Sequence, residues 1–190
     1  MYEYLSGKLT SLTPATAVID CGGVGYLTEI TLNTYSAIQE KQEVRLWIHE
    51  VIREDAYLLY GFYTEAEREM FRLLIGVNGV GAATARMMLS SLSVKELGDA
   101  IASQDAKMVQ RVKGVGAKTA QRIVLELQDK VSALGAEPSK APAAMSQSKE
   151  EALGALVMLG FPKAAADKVL QSLDGSLTVE ELIKEALKRI

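Results

Sequence analysis

The chain has 190 residues, a formal net charge of −3, and 48% hydrophobic against 24% charged side chains. That balance is typical of a globular chain of one to three domains, and no apolar run approaches the roughly 20 residues of a membrane span. The opening MYEYLSGKLTSL lacks the basic-then-apolar order of a signal peptide, and a single cysteine, Cys21, excludes an internal disulfide framework and leads us to expect a reducing cytoplasm.

Aromatic residues divide the chain. All seven tyrosines, Trp47 and Phe62 lie in residues 1–64, a segment with 4 basic and 8 acidic side chains. Ala17-Val18-Ile19 and residues 26–32, 44–52 and 57–62 read as strands, with Gly22-Gly23 and Gly25 marking a turn. Four or five short strands in that length predict a small barrel of the OB type. From residue 65 the period becomes helical. Met70, Phe71, Leu74 and Ile75 form one stripe, and Ala85, Met88, Leu89 and Leu92 another. Ser93 with Glu96 reads as a capping box before Val94, Leu97 and Ile101, and Ala120, Ile123, Val124, Leu127 and Val131 form the longest stripe. Residues 65–134 are therefore expected to be all helical.

GAEPSKAPAAMSQ, residues 135–147, holds two of the four prolines and no Leu, Ile, Val or aromatic residue, so it predicts a flexible linker. Beyond it, Ser148 with Glu151 and Thr178 with Glu181 are two more candidate capping boxes. They bracket predicted helices over residues 153–159, 164–173 and 179–190, a small three-helix bundle within residues 148–190.

Two stretches repeat one pattern. VNGVGAATARMM occupies residues 77–88 and VKGVGAKTAQRI residues 112–123, the second inside a segment (107–130) with 6 basic and 2 acidic side chains. A nucleotide fold fails on spacing. After Gly79-Val80-Gly81 come Ala82-Ala83-Thr84, without the third glycine of a dinucleotide fingerprint, and GVGAKT has Ala117 where a phosphate-binding loop needs glycine. Helix–turn–glycine–helix accounts for both copies better. The glycines permit a sharp reversal, and the following helix starts with free N–H groups at residues 81–83 and 116–118. Such a start is an anion site, to which Lys118 and Arg122 add positive charge. A plain helical hairpin with glycine caps explains one copy as well; two copies favour binding of a phosphate backbone.

The pair resembles tandem helix-hairpin-helix motifs. With the barrel before it and the tail after it, the whole chain resembles the RuvA family, through CGGVGY (21–26), REDAYLLYGF (53–62), NGVGAATA (78–85), KGVGAKTAQRIVLEL (113–127) and LGF (159–161). The resemblance implies a multidomain α+β chain: an OB-like five-stranded barrel over 1–64, a tandem helix-hairpin-helix domain over 65–134, and a three-helix bundle like a ubiquitin-associated domain over 148–190. It implies a non-catalytic role in recombination, DNA repair and the SOS response. A homotetramer, with an octamer as the alternative, would hold Holliday junction DNA open and planar and recruit the hexameric ATPase RuvB for branch migration, with the resolvase RuvC as a further partner.

DNA contacts are then expected from Asn78, Gly79, Val80, Gly81 and Arg86 in the first motif, and from Lys113, Gly114, Val115, Gly116, Lys118, Thr119 and Arg122 in the second. Glu54 and Asp55 match the family's acidic pin at the centre of the tetramer, and Leu159, Gly160, Phe161 and Leu170 are expected at the RuvB surface. Many family members carry lysine where this chain has Ala82-Ala83 and Ala117, so its first hairpin is expected to rely on backbone N–H groups and Arg86. No cofactor or metal is expected, because His49 is the only histidine and Cys21 reads as a core residue. Two other functions fit the hairpins, a nuclease subunit using Glu54 and Asp55, and a repair accessory protein without junction preference.

Overall fold

The computed structural model describes residues 1–134, 144–174 and 177–189. The chain forms two compact units, Met1–Glu137 and Pro138–Ile190. In the first, β1 (Tyr4–Leu12), β2 (Thr16–Cys21), β3 (Val24–Ile30), β4 (Glu43–Ile52) and β5 (Tyr57–Phe62) close a barrel in the order β1-β2-β3-β5-β4. Every pairing is antiparallel except β3 with β5, which run parallel through Glu29–Tyr60 and Ile30–Gly61. Gly22 and Gly23 (φ 67° and 94°) make the two-residue β2–β3 turn, where a right-handed sheet twist favours positive φ at both positions. Leu5, Ala17, Ile19, Ile30, Leu46 and Ile48 fill the barrel.

Two barrel elements escape sequence reading. β1 alternates weakly, and α1 (Leu32–Ile38) falls where the predicted strand ran on to Leu32. Thr31 ends that strand by capping the helix, its hydroxyl accepting from the Thr34 N–H.

The helices of the first unit are α2 (Glu65–Ile75), α3 (Ala82–Ser91), α4 (Val94–Ala102), α5 (Ala106–Gln110) and α6 (Ala117–Leu134). The expected stripes are the buried faces. Met70, Phe71, Leu74, Ala85, Met88, Leu89, Leu97, Ile101, Ile123, Val124 and Leu127 share one core with Tyr60 and Phe62 of β5. The barrel's last strand is thus part of the helical core, and the two parts share apolar surface as well as a chain connection. Ser93 and Glu96 form the expected reciprocal cap at 2.8 and 3.2 Å.

The second unit contains α7 (Ala144–Met158), α8 (Lys163–Gln171) and α9 (Val179–Leu187) around Ala152, Leu156, Ala166, Leu170, Leu182 and Ala186. Of the expected linker, residues 135–143 lie outside the described residues, while 144–147 already belong to α7. Ser148 is therefore inside a helix and not its cap. Thr178 and Glu181 do cap α9 reciprocally. Among the described residues no helix is long and apolar enough to cross a membrane.

Candidate nucleic-acid interface

Both Gly-Val-Gly stretches form the same turn. After α2, Val77 accepts from the Val80 N–H at 3.0 Å; after α5, Val112 accepts from the Val115 N–H at 3.1 Å. Gly79 and Gly114 stand at φ 94° and 90°, a backbone state strained for any L side chain. Val77, Val80, Val112 and Val115 are buried, so each turn is pinned to the core by its valines while its glycines face out. This changes the expected role of Val80 and Val115. Their side chains are core anchors and their N–H groups are spent inside the turn.

The second glycine of each pair behaves differently. Gly81 is extended (φ −87°, ψ 166°), a state open to any residue. A Cβ added at Gly81 or Gly116 would meet nothing within 4 Å. Neither backbone nor packing needs glycine there; what its absence of side chain provides is an unobstructed approach from outside. The helix behind each is equally open. Thr31, Thr64, Ser93, Asp105 and Thr178 each cap their own helix with a side-chain oxygen, whereas α3 begins at Gly81 with no side-chain cap. The first helical bonds are Ala85 N–H to Gly81 and Ala120 N–H to Gly116, both 2.9 Å. The N–H groups of residues 82–84 and 117–119 consequently have no helical acceptor, and they carry the positive end of the helix dipole.

The hairpins lie side by side. Arg122 of the second donates to the Asn78 carbonyl of the first at 3.0 Å, and also stands 3.7 Å from Glu126. Thr119 Oγ1 lies 3.9 Å from the point a Cβ on Gly79 would occupy. Lys113 and Lys118 are exposed beside the second turn. Arg86 faces the other way, toward the barrel, donating to the Ala15 carbonyl and pairing with Glu29, both at 3.1 Å.

Glu54 and Asp55 sit at the tip of the β4–β5 hairpin, exposed, in a turn closed by the Arg53 N–H on the Ala56 carbonyl at 2.8 Å. The stem below is held by Glu50, which accepts from the Tyr57 hydroxyl and the Tyr2 N–H, both at 2.7 Å. These bonds hold the Glu50 carboxyl below its ordinary pKa, the Tyr57 hydroxyl contributing most. His49 packs on Phe71 at 5.3 Å, and burial followed by the Arg72 and Arg68 charges lowers its pKa. Cys21 is half-buried, its thiol directed at the Ser6 carbonyl at 3.4 Å.

In the second unit, α7 ends in a double turn. The Phe161 N–H reaches Leu156 O at 3.1 Å, the Gly160 N–H reaches Val157 O at 3.0 Å, and Gly160 has φ 96°. Phe161 folds back onto the bundle core, while Met158 (91% exposed) and Leu159 (62%) are left outside. Leu170, expected at a partner surface, is instead 2% exposed and part of the core. Met158 was not expected. Its only sequence signal is that it falls off the Ala152–Leu156 stripe.

The family model described as RuvA N terminal domain matches residues 1–61, the SAM-like helix-hairpin-helix tandem residues 71–129, and the RuvA C-terminal domain residues 147–190. The chain is 49% identical over 201 residues to a protein of Bacteroides thetaiotaomicron named Holliday junction branch migration complex subunit RuvA, with 100% of both chains covered. It is 46% identical to the protein of that name from Christiangramia forsetii and 45% to that from Porphyromonas gingivalis, again over 100% of both chains.

Proposed function

The chain belongs to the RuvA family, and from that membership we propose that it is the junction-binding subunit of a branch-migration complex. It would grip the phosphate backbone of DNA arms without reading bases, as a square of four copies around an open four-way junction. The observation that carries this reading is the pair of equivalent hairpins, joined through Arg122 and Asn78, each with an open glycine edge and a following helix that starts at a glycine, which has no side chain to cap it. Two such starts side by side suit two rows of phosphates better than one isolated anion.

The proposed contacts are the backbone at Gly79, Gly81, Gly114 and Gly116, the helix starts behind them, and the side chains of Lys113, Lys118, Thr119 and Arg122. Asn78 and Arg122 couple the hairpins. Arg86 braces the first hairpin on the barrel and contributes less to DNA. Glu54 and Asp55 would meet at the crossover, repelling phosphates and helping to part strands. The chain itself would hydrolyse nothing; ATP hydrolysis would reside in a RuvB-type motor docked on the second unit at Met158 and Leu159. A RuvC-type resolvase would share the junction, in the cytoplasm.

The test is titration of a synthetic four-way junction and a linear duplex of equal arm length at several salt concentrations. Log affinity should fall by about 0.9 per phosphate neutralised for each unit of log salt. The junction should stay the tighter ligand throughout, and native mass spectrometry should find four chains on it. Equal affinity for both DNAs, or binding insensitive to salt, would refute the reading.

A further inference from the structure

Helix α2 carries two adjacent charges of opposite sign, Glu67 and Arg68, 4% and 2% exposed, which the hairpins do not use. Glu67 takes the Thr31 hydroxyl on one oxygen at 2.5 Å and the Thr34 hydroxyl on the other at 2.7 Å. Both threonine oxygens are already acceptors, Thr31 from the Thr34 N–H and Thr34 from the Tyr63 N–H, each at 2.9 Å. Each hydroxyl can therefore donate to Glu67 while accepting a backbone N–H, a pattern that a group accepting on both oxygens completes.

Arg68 holds the other side. Its Nη1 reaches the Glu3 carbonyl at 3.1 Å and the Glu3 carboxylate at 2.7 Å, and its Nη2 lies 3.1 Å from Glu65 and 3.3 Å from Glu69. The guanidinium stacks over Trp47 of β4 at 4.8 Å. The Glu3 carbonyl also accepts from the Ile48 N–H at 3.0 Å, so Arg68 is tied directly to the β1–β4 seam. Arg68 Nε has no partner, alone among the buried side-chain nitrogens and oxygens of the described residues. A buried cation with an orphaned N–H is a poor source of stability; an apolar side chain of similar size would avoid both penalties. What an apolar side chain could not do is fix the rotation and slide of α2 on the barrel.

We infer that Glu67 and Arg68 are positioning residues that set where the two hairpins stand relative to the acidic β4–β5 tip, so that preference for an open junction depends on them while the grip on phosphate does not. The inference rests on the junction-binding reading above. α2 runs from the barrel to the first Gly-Val-Gly turn. At 11 residues it is about 16 Å long, so a tilt of about 5° at its base shifts the turn by roughly 1.4 Å, half the length of a hydrogen bond. A linear duplex lying on the hairpins moves with them. A junction held by hairpins and tip together does not.

The test uses full-length Glu67→Gln and Arg68→Lys. The glutamine would keep the shape but direct an amide N–H₂ at one threonine, and the lysine would keep the charge without the fork. Far-UV circular dichroism and a melting curve establish folding; affinities for linear duplex and junction are measured at one salt concentration, with energy transfer between labelled arm ends. Duplex affinity should stay within about twofold of wild type while junction affinity falls roughly tenfold and the arm-to-arm transfer shifts. An unchanged junction-to-duplex ratio in a folded variant would overturn the inference. Loss of folding in both variants would overturn it too, because the pair would then hold up the unit and not orient its parts. If wild type itself shows no preference for the junction, the functional reading falls and takes this inference with it.

Discussion

Substituting alanine at the two glycines of one hairpin should separate folding from binding. At Gly114, φ is 90°, and an L side chain there costs about 1–2 kcal/mol whatever the space around it. For a unit of this size the melting temperature should drop by roughly 2–8 °C. At Gly116 a Cβ meets nothing within 4 Å. Losing a tolerable cap residue costs about half a kcal/mol, which the reduced freedom of the unfolded chain offsets by a similar amount. Gly116→Ala should therefore melt with wild type. It should nevertheless bind DNA more weakly. The new methyl stands where a phosphate must come to reach the N–H groups of residues 117–119, and losing one charge-assisted hydrogen bond of about 1.5–3 kcal/mol lowers affinity roughly 10- to 100-fold. Fluorescence anisotropy with a labelled duplex, beside calorimetric melting, measures both quantities. A Gly116→Ala protein that melts and binds like wild type would refute the assignment of this edge to phosphate. Valine at Gly114 is a poor alternative probe, because strain at that φ would mix the two effects.

Replacing Glu54 and Asp55 by Gln and Asn should raise linear-duplex affinity more than junction affinity and leave the oligomer intact; an unchanged ratio across salt concentrations would make the tip an ordinary solvated turn. Met158→Asp and Leu159→Asp should abolish stimulation of a RuvB-type motor with little change in melting, while Leu170→Ala should destabilise the second unit by about 2–5 kcal/mol, read by denaturant titration. Residues 1–137, expressed alone, should bind junctions and fail to stimulate the motor, as a gel shift paired with a strand-exchange assay would record. Burial raises the Glu67 carboxyl above its ordinary value of 4.5, so the folded protein holds this proton more tightly than the unfolded chain does. The stability that follows is full below that ordinary value and is lost as pH rises through the folded one. The melting temperature of Glu67→Gln should accordingly fall less than that of wild type as pH is raised from below 4.5.

The sequence made the helical half readable because its stripes are long and its reciprocal caps are local. Ser93 with Glu96 and Thr178 with Glu181 satisfy each other within four residues, so no tertiary information is needed to find them. Ser148 with Glu151 offers the same letters, yet α7 starts earlier at Ala144, and a capping pattern inside a continuing helix has no terminal N–H groups to satisfy. Leu159 and Leu170 are both expected at a partner surface, yet Leu159 is 62% exposed between the end of α7 and Gly160, whereas Leu170 lies on the buried face of α8. The buried pair on α2 was least legible. Glu67 and Arg68 look like two charges on a solvated face, and their partners, Thr31, Thr34, Glu3 and Trp47, lie 21 to 65 positions away along the chain. Only the closed barrel brings them together.

A chain with a net charge of −3 is a poor candidate for a polyanion ligand by charge alone. On the reading proposed above, the local excess of basic side chains over residues 107–130 is joined by donors that are not side chains. The proposed donors include the backbone N–H groups where each hairpin's second helix starts at a glycine, whose partial positive charge never enters a count of side chains. The exposed alanines at 83 and 117 are consistent with that arrangement, since a short side chain leaves the N–H groups accessible where a lysine would add charge at a distance, while Ala82 packs into the core. On this reading negative charge collects on the barrel, at Glu54 and Asp55 above all, on an element that carries neither hairpin. Grip and repulsion become separate functions of separate surfaces, and a ligand must satisfy both. A continuous duplex crossing the centre of a four-fold assembly would meet the acidic tips. A junction with an open centre would meet the hairpins along its arms and leave the tips facing solvent and parted strands, so on this reading selectivity follows from where the duplex is absent.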